Sequence, residues 1–350
     1  MLLHEHLENG ADKNPNFPFS EFEGNSLSYQ EANLLSNQLA NKLVSEGLEV
    51  GDRFAFLAKN CTEMAIMYYA ASKVGAVPVP LNYRLADQEW AYIINDSEAK
   101  LIIVKGNEYS DRINQISSEL KNVKKYISIS LDNSIEKFQD FYDWLSDSSN
   151  EKPTLKIHEN DDVYQMYTSG TTGHPKGAVL LQRNVAANIR QYLNSLTLPR
   201  PSRTLLVAPM YHAAAMINMC GCIAIGGTIV IQEDFIPQDV VDCLANEKIT
   251  HTVLVPAMIQ ACLVSVPNVA NNEYNDLDQI HYGASPIAPE TLKKAMDVFK
   301  CKFGQGFGMT ETVAVICLMT PEEHIRALNE KPELLKSCGR PAIDTPVSYT

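Results

Sequence analysis

The chain has 350 residues, 45% of them hydrophobic and 20% charged, with 17 Gly and 18 Pro; this is an ordinary globular composition that excludes collagenous, low-complexity and disulfide-scaffold classes. At roughly 150 residues per domain the length allows about two domains and a core that needs neither metals nor disulfides to hold. A formal charge of −13, from 29 Lys plus Arg against 42 Asp plus Glu, opposes nonspecific attraction to nucleic acid or an anionic bilayer, yet permits a local basic site for a small phosphate ligand.

The N-terminus, Met1-Leu-Leu-His-Glu-His-Leu-Glu8, has no basic start and no apolar run, which argues against a signal peptide. Ser28 and Glu31 have capping-box spacing ahead of Leu34, Leu35, Leu39 and Leu43, with Gly47 as a stop signal. Residues 53–58 have the pattern of a short buried strand, 62–74 of a helix ending at Gly75, and 77–79 and 101–104 of further strands. This alternation predicts a largely parallel sheet covered by helices on both faces.

Over residues 131–165 nine acidic residues stand against three lysines, with Ser146-Asp-Ser-Ser-Asn150 inside; the stretch is expected to connect two lobes. The second lobe repeats the alternation, with strands expected at 163–167, 205–208, 228–231, 252–255 and 279–282. Residues 204–232 contain no Asp, Glu, Lys or Arg, but Pro209, His212, Asn218 and Gly226-Gly227 interrupt a lipid-facing helix. A strand, a loop, a helix over 213–225 and another strand fit better than a membrane span. Eight cysteines without a Cys-x-x-Cys pair point to reduced thiols in a cytoplasmic protein, and Cys220 and Cys222, two apart on that helix, point to different faces rather than to one metal.

The most informative stretch is Tyr167-Thr-Ser-Gly-Thr-Thr-Gly-His-Pro-Lys-Gly177. Glycines let the backbone approach an anion closely, the hydroxyls of Thr168, Ser169, Thr171 and Thr172 add donors, and Lys176 adds a compact positive charge, a combination suited to a polyphosphate. Pro175 stands where a P-loop needs Gly before its Lys, and the dinucleotide fingerprint has neither the lysine nor the hydroxyls. By composition alone the stretch fits a flexible Ser/Thr/Gly surface turn equally well.

In order, however, the undecapeptide resembles the phosphate-loop signature of the adenylate-forming superfamily of acyl- and aryl-CoA synthetases, firefly luciferase and peptide-synthetase adenylation domains. Tyr282-Gly-Ala-Ser-Pro286 resembles that family's adenine-side segment, Gly304-Gln-Gly-Phe-Gly-Met-Thr-Glu311 its glycine-rich turn, Pro209-Met-Tyr-His212 its acyl-side motif, and Gly339-Arg-Pro341 a later signpost. The resemblance extends from about residue 15 to the last residue. It implies an α/β fold, the layered αβαβα large domain with two mostly parallel sheets.

The resemblance further implies the chemistry. A carboxylate attacks the α-phosphorus of ATP to give acyl-AMP and pyrophosphate, and a thiol, from CoA or a carrier-protein phosphopantetheine arm, then attacks the mixed anhydride; donors, a lysine and Mg²⁺ meet the moving charge. Thr168, Ser169, Gly170, Thr171, Thr172, Gly173 and Lys176 are expected at the β- and γ-phosphates, Thr310 at the α-phosphate and Glu311 at Mg²⁺. Gly283, Ala284 and Ser285 are expected to line the adenine, with Phe307 stacking on it where many relatives have Tyr. Gln305 and Gly306 border nucleotide and acyl group, and Gly308 and Met309 complete the nucleotide set. His212 is expected beside the reacting carboxylate. Read as a hydrolase nucleophile, Ser285 lacks the second glycine of the strand-to-helix elbow.

Tyr211-His-Ala-Ala214 offers no acid to pair an α-ammonium, which disfavours an amino-acid substrate. Small and flexible residues in Ala213-Ala-Ala-Met-Ile-Asn-Met-Cys-Gly221 suit a medium or long fatty acid, with an aryl acid second. Acidic residues around Gln232-Glu-Asp-Phe235, where some CoA-using relatives carry a lysine, keep a carrier protein in play beside CoA. A fatty acyl-AMP ligase, a light-emitting oxygenase and a non-catalytic acyl-AMP binding module are the alternatives. The family's ribose-binding Asp, hinge and small C-terminal domain find no match, so the chain is expected to be a truncated large domain. Its expected parts are a subdomain over 1–155, a subdomain over 156–335 around the same active-site cleft, and the start of a β subdomain over 336–350, with a strand at 346–350.

Overall fold

The computed structural model describes residues 1–130, 135–168, 173–195, 198, 201–346 and 348. The chain forms two compact units, Met1–Asn16 with Ser28–Ala186, and Phe17–Leu27 with Ala187–Thr350.

The first unit is built on a five-stranded sheet, parallel throughout, in the order Val77–Leu81, Arg53–Leu57, Leu101–Lys105, Lys125–Ile129, Phe138–Asp140. Helices cover its faces, so the central strands run apolar at successive positions: Phe54, Ala55, Phe56 and Leu57 are all buried, as are Leu101 to Val104. The helix Tyr29–Ser45 starts on the expected box, with the Ser28 hydroxyl accepting from the Glu31 amide and the Glu31 carboxylate accepting from the Ser28 amide. The helix Thr62–Val74 ends at Gly75 with φ +72, where a Cβ would lie 3.0 Å from Val50; the left-handed cap and the close approach both require glycine.

The acidic stretch is not a connection. The strand Phe138–Asp140 joins the sheet, Asp140 caps the helix Phe141–Leu145, and Phe141, Trp144 and Leu145 are buried. Apolar side chains at structural spacing outweigh the surrounding acidic composition. The strand expected at 163–167 also stays with the first unit. It runs over Asp162–Thr168 and pairs antiparallel with Lys176–Leu181 in a separate two-stranded sheet, with Tyr164 packed edge-on against Tyr68 at 5.9 Å. The first unit therefore continues through Ala186, past the expected division at 155.

The second unit holds a nine-stranded sheet in the order Arg340–Pro341, Cys317–Met319, Lys302–Phe307, Gln279–Gly283, His251–Leu254, Arg203–Leu206, Thr228–Ile231, Pro18–Phe22, Asn25–Ser28. The run from Pro18–Phe22 to Lys302–Phe307 is parallel, and the two strands after it are antiparallel. The N-terminal strand reaches this sheet through Ser20, Glu21 and Phe22 opposite Ile229, Val230 and Ile231, which places residues 17–27 in the second unit. Its core gathers Leu205, Leu254, Ile280 and Phe303 from the strands with Val240, Ile259, Leu292 and Phe299 from three helices.

The uncharged stretch resolves into the strand Arg203–Leu206, the helix Ala213–Ala224 and the strand Thr228–Ile231. Among the described residues no helix is long and apolar enough to cross a membrane. Cys220 and Cys222 are buried against different partners, Met216 Sδ at 3.2 Å and the Thr228 carbonyl at 3.4 Å. Arg340–Pro341 closes the edge of the second unit's sheet; of the strand expected at 346–350, Pro346 and Ser348 are not in a strand and positions 347, 349 and 350 lie outside the described residues.

Candidate nucleotide site

In the first unit the hydroxyl- and glycine-rich loop is the connection of the hairpin Asp162–Thr168 and Lys176–Leu181, with Thr168 opposite Lys176 and Tyr167 opposite Gly177. Ser169, Gly170, Thr171 and Thr172 lie outside the described residues. Gly173 has φ +124, a conformation that side-chain-bearing residues rarely adopt. At Gly177 a Cβ would lie 2.3 Å from Gln165 Nε2 and 2.8 Å from the Tyr167 ring, so the glycine there serves close strand packing. Lys176 is exposed, and among the described residues no ion pair engages it.

The ends of this loop are anchored on the helix Asp87–Asp96. The Tyr167 hydroxyl donates to Asp96 Oδ2 at 2.6 Å, and burial and the Asp96 carboxylate raise the phenol above its ordinary range. The His174 ring stacks on Tyr92, centroids 4.6 Å apart and planes 18° from parallel, and the Tyr92 hydroxyl donates to the Pro175 carbonyl at 3.4 Å. Two residues of one helix, Tyr92 and Asp96, thus hold both sides of the loop.

In the second unit the strands Gln279–Gly283 and Lys302–Phe307 run parallel with Gly283 directly opposite Gly306. A Cβ on Gly283 would stand 2.3 Å from the Gly306 carbonyl oxygen, so only glycine permits the approach. Past that point Ala284 takes φ +65, the left-handed region that costs an L-residue about 1–2 kcal/mol. Ala284, Ser285, Gln305, Gly306, Phe307 and Gly308 line a cavity of about 530 Å³. Phe307 stays 43% exposed there, which leaves a ring face open for stacking. Its other wall comes from Ile287, Pro332, Leu335, Lys336 and Cys338.

After Phe307 the chain makes a tight turn. Gly308 faces the Ala314 carbonyl so closely that a Cβ would sit 1.2 Å from its oxygen. Thr310–Thr312 forms one 3₁₀ turn, with the Thr312 hydroxyl accepting from the Met309 amide at 3.1 Å. Buried Val313 follows at φ +71, ψ −65, a strained conformation for a β-branched residue. The buried Asn188 carboxamide clamps the next backbone unit, donating to the Val315 carbonyl at 2.7 Å and accepting from its amide at 3.2 Å. This clamp fixes the exit of the turn that presents Thr310 and Glu311.

Glu311 is exposed, and among the described residues no ion pair engages its carboxylate. No group of three or more His, Cys, Asp or Glu side chains that could hold a metal ion converges among the described residues. His212 is exposed at the N-cap of Ala213–Ala224, its ring tilted 51° against Tyr211 at 4.3 Å, with its carbonyl accepting from the Ala215 and Met216 amides.

The structure thus gathers Ala284, Ser285, Gln305, Gly306, Phe307 and Gly308 around one cavity, whereas Gly283, Met309, Thr310, Glu311 and His212 do not line it. Sequence reasoning missed the wall over 332–338. Its signal was adjacent, since Gly339-Arg-Pro341 was already singled out and Gly339 holds φ +89 against the Leu318 carbonyl.

The first unit thus holds a loop whose Lys176 is exposed and engaged by no ion pair among the described residues, and the second a cavity edged by a partly exposed aromatic ring. The model of the AMP-binding enzyme family matches residues 7–348, and the chain belongs to that family. It is 30% identical over 339 residues to the fatty acid–[acyl-carrier-protein] ligase ScoC of Streptomyces coeruleorubidus, covering 95% of this chain and 62% of that one. It is 29% identical over 302 residues to the long-chain-fatty-acid–CoA ligase FadD13 of Mycobacterium tuberculosis, covering 86% of this chain and 58% of that one. The chain therefore spans about three fifths of these relatives. Among solved structures, the inhibitor-bound N-terminal domain of FACL13 from Mycobacterium tuberculosis superposes with a TM-score of 0.87 at 26% identity, over 98% of this chain and 82% of that one. The fold is that large N-terminal domain.

Proposed function

We propose that this chain carries the adenylating part of an acid–thiol ligase, which joins a carboxylic acid to AMP and passes the acyl group to a thiol of CoA or of a carrier-protein phosphopantetheine arm. The cavity of about 530 Å³ carries the reading, because its lining includes Ala284, Ser285 and Phe307, three of the four residues that the family resemblance assigns to the adenine. Lys176, exposed and unpaired among the described residues, holds the β- and γ-phosphates together with Thr168, Gly173 and the loop between them. Thr310 donates to the α-phosphate and Glu311 holds Mg²⁺. The ion, when bound, offsets the charge that develops as pyrophosphate leaves. His212, at a helix start with its ring exposed, orients the attacking carboxylate.

For the acid we propose a medium or long fatty chain. The helix behind His212 buries Ala213, Ala215, Met216 and Met219, small and deformable side chains that accommodate alkyl groups. The test is ATP–pyrophosphate exchange by the full-length gene product with octanoate, laurate or benzoate, followed by binding of the matching non-hydrolysable acyl-AMP analogues. Acid-dependent exchange and tighter binding of the octanoyl or lauroyl analogue than of the benzoyl one are expected. Tighter benzoyl binding would replace the fatty acid with an aryl acid, and binding of AMP without acid-dependent exchange would leave a non-catalytic binding module.

A further inference from the structure

The proposed ligase chemistry uses none of the eight cysteines. Cys61, Cys220, Cys222, Cys243 and Cys262 are buried and Cys301 is half-buried, whereas Cys338 is exposed and Cys317 is half-buried. The last two meet side chain to side chain. Burial, and then the Cys338 sulfur, raise the Cys317 thiol above its ordinary range. Cys338, open to solvent, is therefore the sulfur that an oxidant reaches first.

The backbone around the two thiols holds them together. Cys317 lies in the strand Cys317–Met319, which pairs with Lys302–Phe307 on one side and Arg340–Pro341 on the other. Its direct partner in the first pairing is Phe307, so their side chains share a face, and both Phe307 and Cys338 line the cavity. The residue after Cys338, Gly339, packs against the residue after Cys317: a Cβ on it would lie 2.1 Å from the Leu318 carbonyl oxygen. The Ala342 amide donates to the Ile316 carbonyl at 2.8 Å, and Arg340 pairs with Glu323 at 2.6 Å.

We propose that Cys317 and Cys338 are a reversible thiol–disulfide pair, closed by a small-molecule disulfide, that fastens the cavity wall over 332–338 to the strand beside Phe307 and weakens nucleotide binding. The effect on nucleotide rests on reading the cavity as the base site; formation of the disulfide does not. Cys338, as thiolate, attacks one sulfur of the small disulfide, forming a mixed disulfide and releasing the other half as a thiol that takes up the Cys338 proton. Cys317 then loses its proton and attacks Cys338 Sγ. The bond between the two cysteines forms, the mixed disulfide breaks, and its small half leaves as a thiol carrying that proton. Two electrons and two protons thus pass from the pair to the oxidant. A covalent sulfur–sulfur bond is much shorter than the contact between free thiols, so closure draws Cys338 toward the face that Phe307 presents.

The test treats the chain with glutathione disulfide, removes the reagent, counts free thiols and maps linked peptides by mass spectrometry. AMP affinity is measured by calorimetry before oxidation, after it, and after reduction with dithiothreitol. The oxidised parent should lose two of its eight thiols to a disulfide between Cys317 and Cys338, bind AMP about fivefold more weakly, and regain its affinity on reduction. Cys317→Ser should stop at a mixed disulfide on Cys338, and Cys338→Ser should form neither product at position 317. No link in a parent that binds AMP overturns the proposal alone, whether or not the variants fold, and so does a linked parent with unchanged AMP affinity. A reduced parent that binds no AMP overturns the base-site reading, and with it the effect assigned to the pair.

Discussion

The hydroxyl- and glycine-rich loop of the first unit and the glycine-rich turn of the second are built on opposite terms. The first offers an exposed Lys176 and is held at its ends by a ring stack and two hydrogen bonds. The second is braced along its length, with positive φ at Ala284 and Val313, two backbone approaches that leave no room for a Cβ, and the Asn188 clamp. Charge is recognised at a distance and tolerates a loosely held donor, whereas a flat ring is recognised by the shape of its walls. Backbone strain of 1–3 kcal/mol per residue persists only where surrounding packing over-determines the conformation. It is found beside the cavity of the second unit, at Ala284 and Val313.

The comparison breaks most sharply at Gly308. A Cβ there would stand 1.2 Å from the Ala314 carbonyl oxygen, and since both groups are backbone, no rotamer change relieves the clash. Gly308→Ala should destabilise the second unit by about 3 kcal/mol or more and remove nucleotide binding. Urea unfolding gives the first value, and an unchanged midpoint would mean the turn is not rigid. A smaller loss is expected at Asn188. Truncation to Ala strips the Val315 amide and carbonyl of their partners in a buried setting, which should cost about 2 kcal/mol. Asn188→Ala should also weaken AMP, measured by calorimetry, because the exit of the Thr310–Thr312 turn is then unpinned. A stability loss without any loss of AMP affinity would separate the clamp from the site.

How much of this was legible in the sequence follows the same division. Short-range signals carried the fold well: the Ser28–Glu31 box, the Gly75 stop and the apolar runs at 101–104, 228–231 and 279–282 all mark elements that form within a residue or two of those bounds. Composition misled over 131–165, because Phe141, Trp144 and Leu145 are few among acids yet sit at core spacing. The partner of Pro18–Phe22 was not legible, since its neighbour Thr228–Ile231 is about two hundred residues away and nothing local encodes that pairing. At the site, motif order identified the residues around the cavity, whereas Tyr282–His324 and Asn188–Val315 are contacts across long sequence separations. Such pairs carry no spacing signal.

The smallest structural effect, and the one that most sharpens the contrast, is expected at Lys176. Its side chain is exposed and no ion pair engages it among the described residues, so Lys176→Ala removes no native contact recorded there. Its position opposite Thr168 keeps the hairpin register, which depends on backbone pairing rather than on the ammonium. Unfolding stability should therefore stay within about 0.5 kcal/mol of the parent chain. A charge-assisted bond to phosphate is stronger than a neutral one, so ATP affinity should fall about tenfold or more while AMP affinity changes by less than about threefold. The ATP-to-AMP ratio, read by competition at fixed ionic strength, separates the two roles: a lysine serving the hairpin would lower stability and both affinities together, and one serving the outer phosphates changes only the ratio.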